Sequence, residues 1–197
     1  FPAFFLRPSI LVLMVLLLSL MAFSSYFSSH FNLMGDLSHA YQFFYYIYSS
    51  LYFYGELPFW EPYSAKGLSS SIHLFVSLDP FLMVSLISGY LFGLENIKTM
   101  FLLGIFFKVS TYALGVFVLA RHLFPESITT ALFGGILAGM GHLLIVGHEH
   151  LGLIVFVPLI MFLIIRFTEA GNAKYLFGAA FVYSLSITGY NVTTMLV

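Results

Sequence analysis

The chain has no cysteine and little charge: among its 197 residues there are seven Lys and Arg, eight Asp and Glu, and 8% charged residues in all. The lack of cysteine excludes a disulfide framework, a thiolate metal site and a thiol nucleophile, without identifying a compartment. The shortage of charge excludes more. Soluble domains carry roughly 25% charged residues, and a chain with about a third of that cannot cover a water-facing surface. No basic stretch is dense enough to bind nucleic acid, and a net charge of -1 selects no partner. What fills the chain instead is apolar: 60% of residues are hydrophobic and the mean hydropathy is +1.00. These proportions predict an integral membrane protein.

Six apolar segments are each near the roughly 20 residues needed to span a bilayer. They are about Ile10–Phe27, Leu74–Leu94, Met100–Ala120, Ile128–Val146, Leu151–Phe167 and Tyr175–Val197. The runs are continuous, not alternating, which predicts helices over a barrel. The expected fold class is all-α, a polytopic transmembrane helical protein in which residues 1–197 form a single transmembrane domain. The first segment is longer than the roughly 7–15 apolar residues of a signal peptide, and no clear cleavage site follows. The chain opens at Phe1 without Met and stops at Val197 within an apolar run, so the expectation is the N-terminal part of a longer protein.

One region breaks the pattern. Residues 28–73 are too polar to span and too aromatic for a free linker; nine of the fourteen residues from Tyr41 to Tyr54 are aromatic. Tyr and Phe at that density suit the headgroup boundary, where the ring is buried and the hydroxyl stays wet. The expectation is an amphipathic helix lying along the interface over Leu37–Tyr54, ended by Gly55 and followed by an irregular turn around Trp60 set by Pro58 and Pro62.

The basic residues constrain topology. With six spans and a cytoplasmic N-terminus, Arg7 and Lys98 fall inside and Lys66, Arg121, Arg166 and Lys174 outside, which inverts the positive-inside rule. If Leu74–Leu94 or its neighbour only half-crosses, Arg121, Arg166 and Lys174 join Arg7 inside. His148-Glu149-His150 then moves to the face that carries Asp36. Inversion of the whole chain is the competing arrangement.

Asp36, about nine residues past the first segment, has two compatible readings. It caps the interfacial helix, or it is a surface carboxylate serving as general base or metal ligand. Glu56 and Glu61 are solvated loop charges, or a second carboxylate helping to hold a cation. Lys66 is a phosphate contact or a snorkelling lysine. His148, Glu149 and His150, with His142 upstream, have metal-ligand side chains. Their i, i+2 spacing places the imidazoles on different faces of a helix, so a shared metal requires a loop; otherwise they form a polar loop beside a site, or a solvated one. Asp79 and Lys108 lie at membrane depth. Such residues face a bundle interior or a water cavity and often pair, so an Asp79–Lys108 pair is one expectation. A proton or ion relay would need more such groups. Gly135-Ile-Leu-Ala-Gly139 is a small-xxx-small pattern, read as close helix packing. Asn191-Val-Thr193 matches a glycosylation sequon inside an apolar run and is read as chance.

The order of these features resembles the bacterial YfhO-type membrane proteins, within the GT-C superfamily of multi-spanning glycosyltransferases. The residues that carry the resemblance are "GDLSHAYQFFYYIYSSLYFYGELPFWEPYSAKGLS" after the first segment, then "SLDPFLMVSLI", then "VFVLARHLFPESITTALFGGILAGMGHLLIVGHEHLGLIVFVPLIMFLIIR". The most diagnostic part is Gly55 to Gly67, which looks like the family's G-x-L-P-x-W-x-P-Y. The resemblance covers nearly all of the chain. It implies a multi-pass protein of the bacterial inner membrane that moves a sugar from a polyprenyl-phosphate donor to an extracytoplasmic acceptor, with Asp36 as base or cation ligand. Trp60, Lys66, His148, Glu149 and His150 are then the expected substrate contacts. A divalent cation is the one implied cofactor, with Asp36 and Glu149 as its candidate ligands. There are two departures: Asp36 lacks the second acidic neighbour common in the family, and Asp79-Pro80 stands where an aromatic-Pro is expected. Both bear on metal dependence and on the reaction.

Two other classes compete. A transporter or channel subunit would show inverted repeats and interrupted helices in matching halves, and no convincing repeat is present. A non-catalytic subunit of a larger membrane complex would suit the aromatic band and the Gly135/Gly139 pattern; it predicts that Asp36 and the His148–His150 loop share no cavity.

Overall fold

In a computed structural model of the chain, the described residues are 8–27, 36–56, 60–61, 68–69, 79–93, 96–141 and 152–188. They are helical apart from one short strand pair.

Helix α1, Pro8–Phe23, starts on proline, where a missing N–H costs nothing, and runs into a 3₁₀ turn at Ser24–Phe27. Helix α2 covers Asp36–Ser49 and widens into a π-helical turn at Ser50–Tyr54. Phe44, Ile47 and Tyr48 are buried while Tyr45 and Tyr52 are exposed, a spacing that gives the helix one apolar stripe. Gly55 stops it in the left-handed region (φ 67°), with its N–H donating to Leu51 O at 3.1 Å; only a residue without a Cβ adopts that conformation freely. Burial pushes the Tyr41 hydroxyl above its ordinary pKa, with neighbouring Tyr45 adding to the effect. Strands β1, Trp60–Glu61, and β2, Leu68–Ser69, pair antiparallel with Trp60 opposite Ser69.

Helix α3, Pro80–Phe92, is capped by the Asp79 side chain and closed by Gly93. Helix α4, Ile97–Leu123, begins where Asn96 Oδ1 accepts the Thr99 N–H at 3.1 Å and carries Arg121 and His122 in its last turn, where cations complement the helix dipole. A tight turn leads to α5, Ile128–Met140, capped by the Ser127 hydroxyl. Helix α6, Gly152–Ala170, accommodates Pro158. Gly171 turns the chain into α7, Ala173–Thr188.

Helix α4 is the axis, in contact with α1, α2, α3, α5 and α6. Met100, Phe101, Leu102, Ile105, Val109, Ala113 and Phe117 form its buried face. Helix α3 runs antiparallel along the first half: Ser85 Oγ donates to the Met100 carbonyl and Asp79 reaches Lys108. Helix α1 is also antiparallel, with Phe23 beside Phe106 and Val15 packed in a cluster with Ala113 and Phe117. Helices α5 and α6 flank the second half. A Cβ on Gly135 would lie 2.9 Å from Phe117 Cβ and 3.3 Å from Val15, and one on Gly139 would run into the Ser19 hydroxyl. The Gly135/Gly139 pattern therefore seats α5 on α4 and α1, the packing role expected of it.

Two helices, Ser9–Phe27 and Ile97–Leu123, are long and apolar enough to cross a membrane. Helices α3 and α5 have 13 residues each, about 20 Å at 1.5 Å per residue against roughly 30 Å of hydrocarbon.

Candidate functional site

The one buried ion pair among the described residues joins Asp79 to Lys108, with side-chain exposures of 4% and 10%. Lys108 lies roughly 16 Å along a helix about 40 Å long, near its middle. Asp79 is brought to it by local chemistry. An Asp before Pro is a strong helix start: the carboxylate accepts the first free amides and the proline fixes the first helical φ. Here Asp79 Oδ1 accepts from Phe81 N at 2.9 Å and from Leu82 N at 3.3 Å, while Oδ2 faces Lys108 Nζ. One carboxylate thus neutralises both an ammonium and the positive end of a helix. The arrangement is closed, with each oxygen committed, so it suits holding two helices together better than binding a further ligand.

The ion pair marks a junction. Phe81, in the first turn of α3, stacks on Phe156, in the first turns of α6, at 5.3 Å. The starts of α3 and α6 therefore meet beside the middle of α4. Gly139, at the end of α5, packs near Ala113 of α4.

The α2 helix meets α4 at its beginning. Tyr41 and Phe44 lie 5.5 and 5.6 Å from Phe101, and Tyr52 reaches Tyr90 of α3 at 6.4 Å. Asp36 is the first residue of α2. Its side chain lies outside the described residues, as do Lys66, His148, Glu149 and His150. Trp60 is described only through its backbone pairing in β1. Among the described residues no group of three or more metal-ligand side chains converges, and the two candidate ligands Asp36 and Glu149 fall outside that set.

At the opposite end of α4 a second polar cluster forms, which the sequence shows only as scattered charges. His122 Nε2 donates to Glu169 Oε1 at 3.0 Å, Arg166 donates to Glu169 Oε2 at 3.4 Å and to the Tyr175 hydroxyl at 3.4 Å. His122 also stands edge-on to Phe162 at 5.5 Å. The i, i+3 spacing of Arg166 and Glu169 was readable; the link to His122 requires α4 and α6 to run parallel.

A groove of about 390 Å³ lies between α1 and α4, lined by Leu16, Leu20, Phe106, Phe107 and Ser110 among others. The Ser110 hydroxyl is buried without a hydrogen-bond partner among the described residues.

No family model matches the chain, and neither a curated protein nor a solved structure matches it.

Proposed function

We propose that the chain is a multi-pass membrane protein in which α3 half-crosses the bilayer. Three observations support this. Helices α1 and α4 are long and apolar enough to cross. Helix α3 is too short to cross and begins at a buried ion pair beside the middle of α4. Large apolar side chains such as Leu17, Met21, Phe177 and Phe181 are exposed, a surface that water does not favour. Arg121, Arg166 and Lys174 stand together at the end of α4 and the α6–α7 turn, which under the positive-inside rule is the cytoplasmic side.

Within that frame we propose a glycosyltransferase that uses a polyprenyl-phosphate sugar, in the bacterial inner membrane. The observation that carries it is the position of α2. Headed by Asp36 and lined with aromatics, it packs around Phe101, at the end of α4 away from the basic cluster. A donor lipid would enter beside the aromatic face. Asp36 accepts the proton of an acceptor hydroxyl as that oxygen bonds to the sugar's anomeric carbon; a cation held by Asp36 would instead acidify that hydroxyl so that it loses its proton to water. The bond to the lipid phosphate breaks, and Lys66 stabilises the departing charge. Trp60, His148, Glu149 and His150 contribute to substrate binding. Asp36→Asn should abolish transfer to an acceptor in reconstituted membranes while leaving membrane insertion unchanged; full transfer by that variant would sink the assignment.

The second reading is a non-catalytic subunit. It draws on the closure of the Asp79–Lys108 pair, in which both carboxylate oxygens are already engaged. Co-purification of partner chains in the absence of any transfer would favour it.

A further inference from the structure

We propose that the α6–α7 turn binds the headgroup of an anionic phospholipid, with the lipid's acyl chains lying along α7. The proposal rests on the membrane reading and is independent of the transfer reaction. Two cations lie against one ring: the Arg166 guanidinium is 5.5 Å and Lys174 Nζ 5.2 Å from the Tyr175 centroid. Both are thereby held over the same point of the turn. The counter-charge is short. Among the described residues Glu169 is the carboxylate in this cluster, and it is shared between Arg166 and His122. Lys174 is exposed, and no described carboxylate is placed against it.

Directly beyond these cations the surface becomes apolar. Phe177 and Phe181, one turn apart on α7, are 75% and 66% exposed, with Leu176 beside them. Cation, phenol and apolar stripe follow one another in the order in which a phospholipid presents phosphate, glycerol and chains. A free phosphate would satisfy the first part and leave the stripe uncovered. Lipid acidic headgroups draw basic residues at a membrane surface by about 1 kcal/mol each, and the Tyr175 ring adds an amphipathic contact at the same depth.

The test uses the full chain purified in detergent and titrated with phosphatidylglycerol, phosphatidylcholine or inorganic phosphate, with unfolding temperature and lipid retention as readouts. Phosphatidylglycerol should be retained and should raise the unfolding temperature more than phosphatidylcholine does. Lys174→Gln should weaken that binding about fivefold with unchanged helicity by circular dichroism. Lys98→Gln, at the other end of α4, should leave it unaltered. Equal responses to the two lipids, an unchanged response in Lys174→Gln, or equal stabilisation by inorganic phosphate would each overturn the proposal. Release of the chain from native membranes by alkaline carbonate would instead sink the membrane reading, so the two failures are distinguishable.

Discussion

Lys108 is the residue on which the interior depends most. Its ammonium is buried in the middle of an apolar helix, and Asp79 is the anion that meets it. Removing one member of a buried pair leaves the other charged without compensation, which costs about 3–5 kcal/mol, whereas replacing both by apolar groups of similar volume is often neutral. Asp79→Asn and Lys108→Met should each lower stability by about that much, and the double variant should recover most of the loss. The Asp79→Asn arm keeps a side-chain oxygen for the cap, so its loss reports the pairing. Denaturation in detergent, analysed as a double-mutant cycle, measures the coupling; additive single effects would refute it. Both residues stood out in the sequence because ionisable groups are scarce in apolar segments, and Asp79-Pro80 signalled a helix start locally. Their pairing was only one option there, because 29 positions separate them and the contact needs α3 to fold back along α4. The Asp36 and His148–Glu149–His150 assignments rest on residue order and on the family resemblance, and their side chains lie outside the described residues.

Element boundaries followed from caps more than from hydropathy. The apolar run Met100–Ala120 became a longer helix, Ile97–Leu123, because Asn96 caps its start and Arg121 and His122 favour its last turn. The amphipathic stretch ended at Gly55 as its composition required, whereas the π-helical turn just before it left no readable mark. The segment Leu74–Leu94 looked long enough to cross, yet within it the described helix begins only at Pro80, since Asp79 is drawn to Lys108 and to its own amides. The Gly135/Gly139 contact is the clearest place to test helix packing. Leucine at Gly139 would have to displace the Ser19 side chain of α1, and overpacking of this kind typically costs about 1–3 kcal/mol. Gly139→Leu should therefore lower the unfolding temperature, while Leu137→Ala on the exposed side of α5 should change it little. Equal effects of the two would show that the close approach is unimportant.

For the whole molecule, composition settles more than any motif. Sparse charge and long apolar runs fit the exposed apolar helices of the structure. The direction of each helix had to come from packing, and with it the gathering of Arg121, Arg166 and Lys174 at one end, because α6 could run either way along α4. The missing cysteines make the proposed sidedness directly measurable. Single cysteines at Arg121 or Lys174 should react with a membrane-impermeant maleimide from one side only, and a cysteine at Glu56 from the other. Labelling of all three from the same side would overturn the half-crossing arrangement of α3.

The shortness of α3 also has a consequence for how the chain is made. Synthesis proceeds from the N-terminus, so Asp79 and α3 leave the ribosome before Lys108 does. A helix of 13 residues with a charge at its head has no stable position in a bilayer alone. In the membrane reading α3 is therefore inserted late, in a joint step with α4, and the lysine that follows it in the sequence decides when that step occurs.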